Sequence, residues 1–575
     1  TPAIVVFNPA SGPRTDLVSV GVESPPEPGL VLQDEAGRPV PYRTLGRRSH
    51  ILSSMEVDRE GFASLVAQFG STGGQIQVGL ALRRAEISVE DDTAHVTIVS
   101  WEGAGPGPLD EALEQARALL ANEAIQHYSL RVLKEELTIQ FVACALPPLG
   151  YRIYRFQTNS RQPPAVSRQH PVSSIQYPAT CIKNEFFRVE VNSENGTLTI
   201  SDETTGRVLR GCNRFVDGGD RGDEYNYCQP EHDRLVDHPA TPPTIRLLSA
   251  DETGATLEIT LLYQVPVSLV SEDRSRREDE TIPLPIVTRV TLTPGVRRVD
   301  FETTVENQIG DHRFRVHFPT GLTVDTAFAD GHFDVVERPL DALDGTDTWA
   351  EQPVSTHPQR AFVDVSDGEQ GVMLANRGLP EYEVLRCEDG AEIALTLLRC
   401  IGWLSRDDMH CRRGHAGPAE AVPEAQCPGR HTFRYSLIPH TGDYRQAHAL
   451  AYGFQTDLRA IPTGAHPGPL VLSEVEGPVL SKAEGLPATL SFVTVEPATL
   501  EISAVKAPEE GEGLIVRCWN VGSKPVKGTI RLWRPFRRAL RVNLAEEGDT
   551  ELACDTDTVT LPVRGREIAT LRFEF

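Results

Sequence analysis

The sequence has no run of 18 or more apolar residues, no C-x-x-C pair, no G-x-S-x-G elbow and no glycine-rich phosphate-cradling loop. The first absence argues against a membrane-spanning helix. The last two leave nucleophilic serine chemistry and nucleotide binding without support. Ten cysteines, at 144, 181, 212, 228, 387, 400, 411, 427, 518 and 554, are too thinly spread for a disulfide-scaffold domain. They fit a reducing, cytoplasmic setting. Lysine is scarce, only six of the 56 basic residues, and carries no functional message. Positive charge is outweighed, with a formal net charge of -25 and a pI near 5.1. That balance argues against nucleic acid or an anionic membrane as partner, since both are themselves negative. The N-terminus, Thr1-Pro-Ala-Ile-Val-Val-Phe, has neither a basic region nor an initiating Met, so the natural start is expected to lie upstream.

What is present is mostly strand grammar. Phe187, Val189 and Val191 alternate with polar residues, Asn195-Gly196 supplies a tight turn, and Leu198 and Ile200 alternate on the way back. The same pattern recurs at Leu257, Ile259 and Leu261 after Asp251-Glu-Thr-Gly254, and at Val299, Phe301, Thr303 and Val305 after Pro294-Gly295. One helix is expected over 109–126, where Leu109, Leu113, Ala116 and Leu120 share a face and Asp110 and Glu111 suit its N-terminal end. The Pro/Ser/Gln-rich stretch 158–179 reads as a connector. A period-eight repeat, "VLSEVEGP" then "VLSKAEGL" at 471–486, is too short for a solenoid and reads as part of a second linker. The expected organisation is therefore a small β domain with a helical insert (1–157), a linker (158–179), a large β domain (180–455), a linker (456–490) and a C-terminal β-sandwich (491–575).

The stretch "DGGDRGDEYNYCQPE" at 217–231 is the most conspicuous candidate site. Its acidic residues are spaced by three and Cys228 stands at position 12, so an EF-hand is excluded. Carbohydrate contact fits better: carboxylates pair with vicinal hydroxyls, and an aromatic ring covers the apolar face of a pyranose. Asp223, Glu224, Tyr225 and Tyr227 are the right residue types. The competing reading is a self-closed turn in which Arg221 pairs with Asp217 or Asp223. "LANRGLPEYEV" at 374–384 raises the same choice for Asn376 and Arg377. For transition metals, His332 with Asp334, and His410, Cys411 and His415, are borderline sets without the remaining ligands at a recognisable spacing.

Four long stretches, 184–231, 315–339, 357–384 and 403–440, resemble the bacterial α-mannosidases of glycoside hydrolase family 38, and 3–20 and 146–156 resemble the small β domain preceding the large one in that family. The resemblance implies a mainly β, multidomain chain: antiparallel β-sandwiches around a large galactose-mutarotase-like supersandwich. Family members are metal-dependent retaining glycosidases. Their N-terminal α/β barrel supplies an H-x-D metal motif, an Asp nucleophile and an acid/base Asp, and a helical bundle adds another metal His. This chain is expected to begin after those parts, with no catalytic residue or metal ligand of its own. The divalent metal, zinc by resemblance, belongs to the parent enzyme. The implied partners are an α-mannoside or oligosaccharide, the N-terminal barrel of the same protein and a second copy in a homo-oligomer. Tyr225 is the first candidate for the sugar pocket, Tyr227 the second, with Asp223, Glu224, Asn376 and Arg377 in support. Two rivals remain: a stand-alone carbohydrate-binding or scaffold module, and a polysaccharide lyase in which Tyr225 or Tyr227 acts as the base.

Overall fold

In the computed structural model, the described residues are 3–22, 30–71, 75–77, 80–102, 109–158, 180–271, 273–342, 344–345, 348–463 and 487–575. The connector and the period-eight repeat lie outside them, apart from residues 158 and 456–463 and 487–490 at the linker ends. The chain forms two compact units.

The first comprises Thr1–Asn8, Asp16–His170 and Leu458–Leu490. Ala3–Asn8 lies between Gly150–Thr158 and Arg459–Thr463, so the latter segment adds a strand to this unit's sheet. Ile4, Val6, Val18, Val20, Phe141, Tyr154 and Phe156 are buried in its core. A second, six-stranded sheet includes Arg14–Val22, and in it two long strands, Tyr42–Asp58 and His127–Leu146, run antiparallel as a ribbon. Two helices pack with it, α1 (Arg59–Ser71) and α2 (Leu109–Ala121). The sequence pattern reveals only α2; of its expected face Ala116 is buried and Leu113 and Leu120 are partly so, and Leu119, outside that face, is buried as well. Helix α2 carries the chain from Thr93–Glu102 to His127–Leu146, which pair in parallel, as a crossover helix allows. Phe62 of α1 stacks on Tyr128 at 4.4 Å and fixes the helix to the sheet.

The second unit comprises Pro9–Thr15, Pro171–Asp457 and Ser491–Phe575. Its larger part is an antiparallel supersandwich of sheets with nine, five and four strands. Inward-facing residues of all three meet in one core, where Phe215 stacks on Phe314 at 5.4 Å and Phe301 on Tyr435 at 5.2 Å. The hairpin expected around Asn195-Gly196 is present, with Val191 opposite Leu198. Its C-terminal part is a β-sandwich of a three-stranded and a five-stranded sheet. Trp519 and Val521 of that sandwich pack with Phe362, Met373, Ile438 and Phe454, the last from a third helix, α3 (His448–Gln455).

Within the nine-stranded sheet, His440 Nε2 lies 2.6 Å from Asp364 Oδ1, both side chains buried. Gly371 lies opposite His440, and a Cβ there would come within 2.3 Å of the ring, so the strand position accepts only glycine. Burial disfavours the charged imidazole, but the hydrogen bond and charge of Asp364 outweigh it and raise the His440 pKa. A raised folded pKa contributes stability that is fully present below the unfolded value of about 6.5 and is lost as pH rises through the folded value. Urea unfolding followed from about pH 5.5 to pH 9 is therefore expected to show a decline on the alkaline side that His440→Gln flattens. Parallel profiles for the two proteins would contradict this.

Candidate functional site

The 217–231 loop grows out of the strand Arg214–Gly219, whose neighbour His312–Pro319 places Phe314 opposite Asp217. Asp217, Asp220 and Asp223 are all fully buried. A buried carboxylate needs compensation, and each has its own arginine. Asp217 accepts from Arg277 at 2.5 Å and lies 2.6 Å from His312 Nδ1. Asp220 accepts from Arg399 Nε at 2.7 Å and from the amides of Gly222 at 2.8 Å and Cys228 at 3.3 Å. Asp223 is gripped by Arg412 and accepts from the amides of Tyr225 and Asn226, both at 3.0 Å, and of Arg406 at 2.9 Å. Arg399 also donates to the carbonyls of Asp223 and Asn226, each at 2.5 Å. The loop folds tightly enough at Gly222 that a Cβ would lie 2.0 Å from the Asn226 carbonyl oxygen.

Burial pushes all three carboxyls up. At Asp217 the charges and hydrogen bonds of His312 and Arg277 outweigh it, and at Asp223 the Arg412 and backbone hydrogen bonds do, so both lie below the ordinary range; at Asp220 burial prevails. Arg221, the arginine expected to close the turn, pairs instead with Glu231 at 3.3 Å and the Asp408 carbonyl at 2.9 Å. The loop is thus self-satisfied as a scaffold, but through distant arginines.

That arrangement redistributes the expected site residues. Both oxygens of Asp223 are engaged by protein donors, which makes it an anchor of the loop. Tyr227 is half-buried, with the Arg313 guanidinium 3.5 Å above its ring. Burial pushes its phenol up to about 12, the wrong direction for a lyase base at neutral pH. Asn376 is fully buried at the end of Gln370–Asn376, its Oδ1 accepting from the Leu379 amide at 2.9 Å. Arg377 donates to the Phe454 carbonyl at 2.6 Å and to Asp457 at 2.7 Å. Asn376 ends a strand of the nine-stranded sheet and Arg377 follows it, whereas the loop extends from the five-stranded sheet.

Glu224 and Tyr225 remain outward, Tyr225 with 53% of its surface exposed. Arg412 sits 5.9 Å from the Tyr225 ring centre. The Glu224 amide donates to the Trp403 carbonyl at 3.2 Å, joining the loop to a segment whose indole is 38% exposed. Arg406 lies 5.5 Å above that indole and is itself held by Asp408 at 2.6 Å. Trp403 was not singled out by sequence reasoning. A tryptophan in the Gly/Arg/Asp-rich stretch "GWLSRDDMHCRRGH" was the available signal. Two exposed aromatics thus stand on arginine-buttressed loops.

Neither metal candidate assembles. Asp334 is ion-paired with Arg566, and His415 lies 3.6 Å from Asp407. Among the described residues, no group of three His, Cys, Asp or Glu side chains is placed to hold a metal ion, and no helix is long and apolar enough to cross a membrane.

Residues 182–410 match the glycosyl hydrolases family 38 C-terminal domain, and 499–571 match the family 38 C-terminal beta sandwich domain. This chain carries the C-terminal domains of glycosyl hydrolase family 38. The loop lies within the first of them. A protein named putative mannosylglycerate hydrolase from Halalkalibacterium halodurans is 28% identical over 408 residues, 68% of this chain and 41% of that relative. Alpha-mannosidase 2C1 from Mus musculus is 28% identical over 188 residues, 31% of this chain and 15% of its own length. The crystal structure of an alpha-mannosidase from Enterococcus faecalis V583 superposes with a TM-score of 0.70 at 25% identity, covering 100% of this chain and 56% of that one. This chain therefore spans less than two thirds of these longer proteins, and its mainly β fold is shared with the superposed part of the Enterococcus faecalis structure.

Proposed function

We propose that this chain is the C-terminal portion of a retaining α-mannosidase and that Tyr225 forms part of one wall of its sugar pocket. The observation that carries the reading is the contrast within the loop: its aspartates are buried and tied to arginines, while Tyr225 is 53% exposed. Rigid support beneath an outward aromatic ring is what stacking on a pyranose face requires. Glu224, next to it and exposed, is placed to accept a hydroxyl hydrogen bond, and Trp403 offers a second ring.

Retaining hydrolysis needs two carboxyl groups about 5–5.5 Å apart on either side of the glycosidic bond. With Asp217, Asp220 and Asp223 committed to Arg277, Arg399 and Arg412, none of the loop aspartates is assigned to that pair. Both carboxylates, and the divalent metal with its ligands, are assigned to an N-terminal barrel of the same protein. The first relative's name makes α-mannosylglycerate the second substrate to try.

The test is turnover of an aryl α-mannoside and of α-mannosylglycerate with added zinc. The full-length protein is expected to hydrolyse at least one of them, and residues 1–575 alone neither. Mannose release by 1–575 alone would overturn the assignment of the catalytic groups to another segment.

A further inference from the structure

In the six-stranded sheet of the first unit, Tyr42–Asp58 pairs with His127–Leu146 along one side and, among the described residues, with no strand along the other. A strand of 17 residues therefore presents an open edge. Such edges are templates for a further strand, and proteins commonly blunt them with proline, with scattered charges or by keeping the strand short. Here proline is absent and the charges are sorted by sign: Arg43, Arg47, Arg48 and His50 stand in the first part, Glu56 and Asp58 at the end. Over 44–56 every residue except Ser53 is exposed. Leu45, Ile51, Leu52 and Met55 are among them, Ile51 with 65% of its surface in solvent.

We propose that this edge binds a second copy of the chain, the two Tyr42–Asp58 strands pairing antiparallel about a two-fold axis through Ile51. The register of the existing pair carries the inference. A two-fold axis perpendicular to a sheet sets one residue against its own counterpart and opposes positions equally far from it, with opposed residues on the same face. The pairing with His127–Leu146 skips Leu52, a bulge next to Ile51. Arg47 is consequently four rungs before Ile51 and Glu56 four rungs after it, and alternation puts all three on one face. About that axis Ile51 meets Ile51 of the second copy, Ser49 meets Ser54, and Arg47 meets Glu56 once on each side. Opposite charges directly across a strand pair are favourable and like charges are not, so the sorting that leaves a single strand lopsided is complementary in the pair. A parallel arrangement would instead bring arginine against arginine. The most exposed apolar side chain of the strand is buried at the centre, with an ion pair on either flank. This surface is independent of whether Tyr225 contacts sugar.

Sedimentation equilibrium of the full chain is expected to give twice the 63.2 kDa of one copy. Glu56→Arg places arginine against arginine, and Ile51→Lys places two ammonium groups on the axis, so each is expected to return the mass to that of one copy. Combining Arg47→Glu with Glu56→Arg restores opposite charges in the same register and is expected to restore the doubled mass, which a general folding defect would not do. A single-copy mass for the unsubstituted chain, or a doubled mass that survives both Glu56→Arg and Ile51→Lys, would overturn the proposal. So would a dimer of residues 1–575 that the full-length protein does not form, because another segment of the same protein would then cover the edge.

Discussion

Arg412→Ala is expected to destabilise the second unit by about 3–5 kcal/mol, because it strips the buried Asp223 carboxylate of the guanidinium paired with it. Arg412 does more than pair with Asp223. It also donates to Asn226 Oδ1 and to the carbonyls of Arg406 at 3.0 Å and Gly414 at 3.2 Å. Its loss therefore opens the loop and the 403–417 segment together. Arg412→Lys keeps the charge but not the planar fork, and is expected to fall between the two. Urea unfolding measures the difference, and protection of the Tyr225 and Asn226 amides against hydrogen exchange reports the loop, since both donate to Asp223. A cost below about 1 kcal/mol, the range of an exposed ion pair, would show that Asp223 finds other compensation.

That expectation rests on contacts no local reading of the sequence could reach. Alternation and turn residues were enough to place the 187–200 hairpin and the strands around Leu257 and Phe301, because those pairs form between neighbours in the chain. Helix α2 was legible from its apolar face. Helix α1, with one buried residue, Phe62, has too narrow an apolar stripe to stand out, and α3 is short. At the loop, the residue types pointed to the right place but the roles did not transfer. Spacing suggested Arg221 as the closing partner, yet the aspartates are met by Arg277, Arg399 and Arg412, which lie 60, 179 and 189 positions away. Asn376 and Arg377 stand out in the sequence as polar residues on a turn, yet only Asn376 bonds within that turn, to the Leu379 amide, while Arg377 donates to Phe454 and Asp457, which lie 77 and 80 positions away. Exposure separates Tyr225 from Tyr227, and two tyrosines of like spacing give no sequence signal for which ring an arginine will cover.

The second large effect falls on Tyr225 itself. Losing an aromatic surface that becomes buried against substrate forfeits about 1.5–3 kcal/mol, which corresponds to roughly 10–100-fold in kcat/KM. Because Tyr225 is exposed and only its backbone amide is used by Asp223, its side chain can be removed with little effect on folding, unlike Arg412. Tyr225→Phe keeps the ring and loses the hydroxyl, so it separates stacking from hydrogen bonding. The decisive measurement is kcat/KM for an aryl α-mannoside with the full-length protein carrying tyrosine, phenylalanine or alanine at position 225. The account predicts a loss of roughly 10–100-fold for Tyr225→Ala at unchanged thermal stability, with Tyr225→Phe intermediate. Unchanged kinetics in both variants would remove Tyr225 from the pocket and contradict the central claim.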